Sequence, residues 1–222
     1  MKKYSFINEF DSFFWDLDGT LTESSPGIIN SVKYALERFG INETDEEKLK
    51  LFVGPPLMFS FQEFYGFSKE DARKAMNIYR EYFGEKGLFE NSVYKGIKET
   101  LNELKLLGKR LFVATAKPEI YMTRILDKFE LTDFFEDACG SDLEETRSEK
   151  AKVIEYTINK NNLSEDQKSG KILMIGDRKY DIIGAHKNNL KCAGVLWGYG
   201  SKEELSENGA DFLVEKTEDF LR

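Results

Sequence analysis

Asp16 and Asp18 stand two positions apart at the end of the apolar run Phe13-Phe14-Trp15, and Gly19 and Thr20 follow at once. A second pair, Asp177 and Asp181, follows Lys171-Ile172-Leu173-Met174-Ile175-Gly176. Between them in the chain, Arg110 to Thr115 is another apolar run, and it opens onto Ala116 and Lys117. Two carboxylates about 4 Å apart repel by several kcal/mol at an intermediate effective dielectric, so acids gathered at one place invite a cation. An all-oxygen donor set suits a hard ion such as magnesium, which keeps positions for water and a phosphate oxygen. Beside a neutralised phosphate, Asp16 is suited to attack phosphorus as a nucleophile, and Asp18 to move protons on and off the reacting oxygens. Gly19 lets the backbone turn closely enough for N–H groups to face a phosphate. The Thr115 hydroxyl and the amides after it, Ala116 included, sit where a strand meets a helix and suit a second phosphate oxygen.

That chemistry requires the groups to converge, and the elements around them predict that they do. Ser12 to Asp16, Arg110 to Thr115, Lys171 to Asp177, Cys192 to Trp197 and Asp211 to Val214 read as short strands buried on both faces, with Phe134 to Cys139 a weaker one. Amphipathic helices at Glu99 to Leu107, Glu119 to Phe129, Lys150 to Asn161 and Tyr180 to Asn189 alternate with them. The expected fold class is α/β, a Rossmann-like parallel sheet with an inserted helical domain. In such a sheet the functional groups collect at the carboxyl ends of the strands.

Nearly a hundred residues separate the first strand from the second, far more than a crossover needs. Ile28 to Phe39 and Lys69 to Phe83 are helical by period, and Gly54-Pro55-Pro56 breaks the chain between them. The expected organisation is therefore a catalytic core from residues 1–21 and 91–222, with a helical cap at 22–90. The aromatic segment Phe59, Phe61, Phe64, Tyr65 and Phe67 is expected in the cap's core. Gly198-Tyr199-Gly200 reads as a turn, since no dinucleotide fingerprint opens a helix there.

Composition narrows the partners. The 222 residues carry 40 acidic and 32 basic groups, net −8, without a basic block, so a nucleic-acid polymer would be repelled. No apolar run approaches a bilayer's thickness, and residues 1–9 lack a signal-peptide core, which predicts a cytoplasmic protein with no membrane partner. Cys139 and Cys192 fit reduced, buried thiols, and the lone His186 fits an exposed surface position. Oligomeric state is not written in the sequence.

Asp16-Leu17-Asp18-Gly19-Thr20-Leu21-Thr22 resembles the nucleophile motif of the haloacid dehalogenase-like phosphatases. Thr115-Ala116-Lys117, Lys150 in Ser148-Glu149-Lys150-Ala151, and Gly176-Asp177-Arg178-Lys179-Tyr180-Asp181 resemble that family's other three motifs, in order. The resemblance implies a magnesium-dependent phosphomonoesterase working through an aspartyl-phosphate on Asp16, with Asp18 as acid and base. It implies Gly19, Thr115, Ala116 and Lys150 as phosphate contacts. It implies Asp16, the Asp18 carbonyl and Asp177 as metal ligands, with Asp181 a direct or nearby one. The nearest likeness is to phosphoglycolate phosphatase-like members, so the expected partner is a small phosphorylated metabolite. A nucleoside 5'-monophosphate phosphatase is the alternative. A sugar-phosphate mutase is disfavoured because Ser24 to Asn30 holds no histidine. A non-enzymatic phospho-aspartate receiver is a far shorter domain without a helical insert.

Overall fold

The computed structural model describes residues 6–143 and 146–221. Residues 1–5, which belong to the segment read for a leader, lie outside these. The chain divides into one unit of Met1–Thr22 with Val93–Arg222 and another of Glu23–Ser92.

The first unit is built on six parallel strands: β1 (Ser12–Trp15), β4 (Arg110–Pro118), β5 (Asp137–Ser141), β6 (Ile172–Gly176), β7 (Lys191–Val195) and β8 (Phe212–Val214). Their order is β5-β4-β1-β6-β7-β8. The chain therefore builds outward from β1 in one direction and then jumps to β6 to build in the other. Between β1 and β6 lies the switch point where the crossovers diverge and leave a crevice beyond the strand ends. Trp15 lies opposite both Val113 and Ile175 in register, so the residues after each strand emerge at one level.

Helices α5 (Ile97–Leu106), α6 (Glu119–Lys128), α7 (Lys150–Lys160), α8 (Ser164–Lys168), α9 (Lys179–Lys187) and α10 (Lys202–Glu207) complete this unit. One face of the sheet, through Phe14, Phe112, Met174 and Cys192, packs on Val153, Ile154 and Ile158 of α7 and Ile182 and Ala185 of α9. Alternate residues Phe13, Trp15, Val113 and Ile175 are buried on the other face, where Trp15 meets Phe220 at 5.4 Å between rings. Burial on both faces explains why these strands read as continuous apolar runs.

The predicted strand at Phe134 to Cys139 is displaced. Thr132–Phe134 forms a 3-10 turn, and pairing begins only where Asp137 meets Phe112. β4 runs three residues further than expected, because a register shift between Ala114 and Pro118 carries it on as a bulge.

The second unit holds α1 (Ser25–Glu37), α2 (Glu46–Lys50), α3 (Leu57–Tyr65) and α4 (Lys69–Glu85). Pro26 in the first turn starts α1 three residues earlier than its apolar period suggests. Ser68 caps α4 by accepting the Asp71 N–H at 3.0 Å, and Gly66 at φ 65° ends α3. Phe61 is fully buried, stacked on Phe67 at 5.9 Å and edge-on to Phe52 at 5.1 Å. Phe59, expected in the same core, is half exposed. The chain leaves the first unit through β2 (Thr22–Glu23) and re-enters it through β3 (Ser92–Val93), and these two strands pair with each other.

Candidate active site

β1, β4 and β6 end side by side, and each delivers a group. Asp16 and Asp177 follow β1 and β6 across the switch point, and Asp181 comes from the first turn of α9. Each of the three offers a carboxylate oxygen within 4.8 Å of the others, and all three side chains are buried.

Lys150, first residue of α7, answers that charge. Its Nζ lies 2.6 Å from Asp16 Oδ1 and 2.8 Å from Asp181 Oδ1, and it donates to the Ala114 carbonyl oxygen at 3.1 Å. The ammonium therefore makes one hydrogen bond to the backbone and two ion pairs to the acids. Gly184 makes the approach possible, because a Cβ there would lie 2.8 Å from Lys150 Cγ. Asp181 combines two tasks: it holds Lys150, and its Oδ2 accepts the Arg178 N–H at 3.1 Å to cap α9.

Asp177 is fixed from both sides. Its Oδ1 accepts from the Thr20 hydroxyl at 3.2 Å and its Oδ2 from the Tyr199 N–H at 2.8 Å. Gly19, at φ 80°, passes so close that a Cβ would sit 2.2 Å from Asp177 Oδ2. The Gly19 N–H, expected to face a phosphate, instead donates to the Thr22 carbonyl oxygen at 2.8 Å, so what this glycine contributes here is the turn itself.

Asp18 points to a different partner from Asp16. Its Oδ2 lies 2.9 Å from Lys117 Nζ, while its Oδ1 is buried without a hydrogen-bond partner. Thr115 is buried beside Asp16 and its hydroxyl helps to lower that carboxyl's pKa, while half-buried Ala116 sits in the bulge.

Burial dominates the electrostatics. It raises the Asp16 carboxyl to about 6 against the pull of Lys150, with Asp181 adding to the rise. It pushes Asp177 well above the usual carboxylate range, with Asp181 and Asp16 adding repulsion. For Lys150, burial opposes the charge, but the two carboxylates outweigh it and hold the ammonium protonated. Three buried carboxylates against one buried ammonium leave an excess of negative charge. That excess and the all-oxygen donor set fit a hard divalent cation.

Sequence reasoning missed two contributors. The sequence assigns no task to Lys117, and no local signal could, because the register shift of β4 between Ala114 and Pro118 is what aims it. Gly198-Tyr199-Gly200 reads as a turn and Trp197 as the end of a strand, yet β7 stops at Val195, Trp197 Nε1 donates to the Thr20 carbonyl oxygen at 3.0 Å, and Gly200 lacks the Cβ that would lie 2.0 Å from the Asp177 carbonyl oxygen. Extending the strand-end rule to the segment after β7 would have found it. His186 is exposed, paired with Asp211 at 3.1 Å, and both cysteines are free and buried. No described helix is long and apolar enough to cross a membrane.

The family model described as haloacid dehalogenase-like hydrolase matches residues 13–195. A crystal structure of a predicted phosphatase from Clostridium acetobutylicum superposes with TM-score 0.89 at 46% identity, covering 95% of both chains. A Pseudomonas aeruginosa protein named 5'-nucleotidase is 41% identical over 196 residues, 88% of this chain and 87% of its own. The Vibrio parahaemolyticus phosphoglycolate phosphatase is 25% identical over 93% of this chain and 92% of its own. Mycobacterium bovis tyrosine-protein kinase PtkA is 33% identical over 90% of this chain and 67% of its own.

Proposed function

The chain belongs to the haloacid dehalogenase-like hydrolases and is a phosphatase, and from that premise we propose that it is a magnesium-dependent phosphomonoesterase that passes a phosphoryl group from a small organic phosphate to Asp16 and then to water. The observation that carries this reading is the convergence of Asp16, Asp177, Asp181 and Lys150 at the switch point, with Asp18 two residues from the nucleophile.

Lys150 holds Asp16 Oδ1, which leaves Oδ2 as the attacking atom. Oδ2 forms a bond to phosphorus as the bond from phosphorus to the leaving oxygen breaks. That oxygen keeps the electron pair and takes a proton from Asp18. In the second step a water gives its proton back to Asp18 and attacks phosphorus. The bond to Asp16 breaks, and inorganic phosphate leaves. Lys150 and Thr115 orient the phosphoryl group, and little beyond positioning and charge neutralisation is needed. A magnesium ion held by Asp16, Asp177 and the Asp18 carbonyl oxygen, with Asp181 adjacent, would neutralise the charge on the phosphoryl oxygens.

The substrate class is a small phosphorylated metabolite of the phosphoglycolate kind. The 41% identity to a protein named 5'-nucleotidase supports nucleoside 5'-monophosphates as a second reading. In this proposal the unit Glu23–Ser92 acts as a cap that selects among them. Phosphate release from phosphoglycolate, nucleoside monophosphates and sugar phosphates, with magnesium and reported as kcat/KM, tests the reading. Asp16→Asn should lower kcat by at least about a thousandfold while the protein still melts cooperatively. Retained turnover in that variant, or no release from any substrate, would sink it.

A further inference from the structure

The mechanism above needs one oxygen of Asp18 free for a proton and the carboxyl held still. We infer that Lys117 is the positioning residue that does this, gripping Asp18 Oδ2 so that Oδ1 is presented to the leaving-group oxygen. The inference rests on the phosphatase reading and deepens it.

Lys117 Nζ lies 2.9 Å from Asp18 Oδ2, with the two side chains only 6% and 17% exposed, so this ion pair is shielded from solvent. Asp18 Oδ1 is buried and has no hydrogen-bond partner. A buried carboxylate with one oxygen paired and the other bare is costly unless the bare oxygen has a partner at another stage of the cycle. The local backbone is built to aim this lysine. The register shift of β4 between Ala114 and Pro118 turns residues 115–117 out of the regular ladder. The Lys117 N–H donates to Thr115 Oγ1 at 3.3 Å. Behind it, Gly140 of β5 lacks the Cβ that would lie 2.4 Å from the Lys117 carbonyl oxygen. On the other side, the Gly19 turn and the bridge between Asp18 and Thr22 fix the Asp18 backbone.

In the first step the proton leaves Asp18 Oδ1 for the alcohol oxygen as the phosphorus–oxygen bond breaks, and the carboxylate that remains is already paired with Lys117. An alkyl leaving group needs that proton; p-nitrophenolate departs without it. Because kcat/KM reports steps up to the first irreversible one, comparing the two substrate types isolates this proton transfer.

Lys117→Met should lower kcat/KM for phosphoglycolate on the order of a hundredfold, and for p-nitrophenyl phosphate by less than about tenfold. Asp18→Asn should give the same pattern, and the double variant should lose no more than Asp18→Asn alone. Lys117→Arg, which keeps a donor for Oδ2, should recover most of the loss. Equal losses on both substrates, or additive losses in the double variant, would overturn the inference. Melting curves check folding. Should Lys117→Met fail to fold, Lys117→Gln and Lys117→Arg carry the same comparison. A wild-type protein that releases phosphate from neither substrate defeats the phosphatase reading itself, whereas an active wild type with flat losses defeats the Lys117 assignment alone.

Discussion

Lys150 shows how one side chain serves three elements. Its ammonium joins Asp16 after β1, the Ala114 carbonyl oxygen of β4 and Asp181 of α9, so a change there is felt across the switch point. Removing one partner of a buried ion pair costs roughly 3–5 kcal/mol, because the other charge is left uncompensated. Lys150→Met should therefore lose both stability and turnover, the first read in urea melts. The pH behaviour follows from Asp16. Its carboxyl titrates near 3.8 when unfolded and at about 6 when buried, so between those values the folded state binds more protons. Stability of the metal-free protein from this group accordingly falls as pH rises through that window. A divalent ion must displace the same protons, so magnesium affinity should rise with pH there, by up to about tenfold per unit for each proton displaced. Calorimetric titration between pH 5 and 7 checks this, and a flat affinity would contradict the burial argument.

At the scale of elements, the glycines of the loop after β7 are as constrained as the acids they surround. Gly198 would place a Cβ 2.3 Å from both Asp177 Cβ and the Gly19 carbonyl oxygen. Gly198→Ala should push Asp177 and the Gly19 turn apart, destabilising by about 1–3 kcal/mol and weakening magnesium binding several-fold. The melting midpoint and its shift on adding magnesium would report both effects. The same loop explains why strand ends were easier to read than their surroundings. Apolar runs mark the strands, but nothing local says that Tyr199 donates its N–H to Asp177. The bulge in β4 was similarly invisible, since pairing with β5 rather than propensity sets where that strand bends.

For the whole molecule, the division at Thr22–Glu23 and Ser92–Val93 separates two sets of buried residues. Phe14, Phe112, Met174 and Ile154 pack within the sheet unit, and Phe14→Ala should cost it about 3–5 kcal/mol. Val32, Ala72, Tyr79 and Phe61 are buried in the helical unit. Replacing Glu23–Ser92 by a short linker should leave a cooperative melt for the sheet unit, monitored by circular dichroism. Turnover of reactive phosphates should persist while discrimination among metabolites disappears, if the helical unit is the selector proposed above.

The chain's own order of residues determined most of the strands and helices, the inserted unit, and which four acids and lysine are candidates for the site. These are carried by local period, by turn residues and by motifs whose spacing survives without coordinates. Tertiary structure alone decided that Asp18 faces Lys117 and not the cluster of Asp16, Asp177 and Asp181, that Gly19 closes its own turn, and that Trp197 to Gly200 brace the site. The reason is that Asp18 and Lys117 stand 99 positions apart and Thr20 and Trp197 177 apart, and only the register of a folded sheet brings such partners within the few ångströms at which hydrogen bonds and charges act, while at Gly19 the folded turn gives its N–H to the Thr22 carbonyl oxygen.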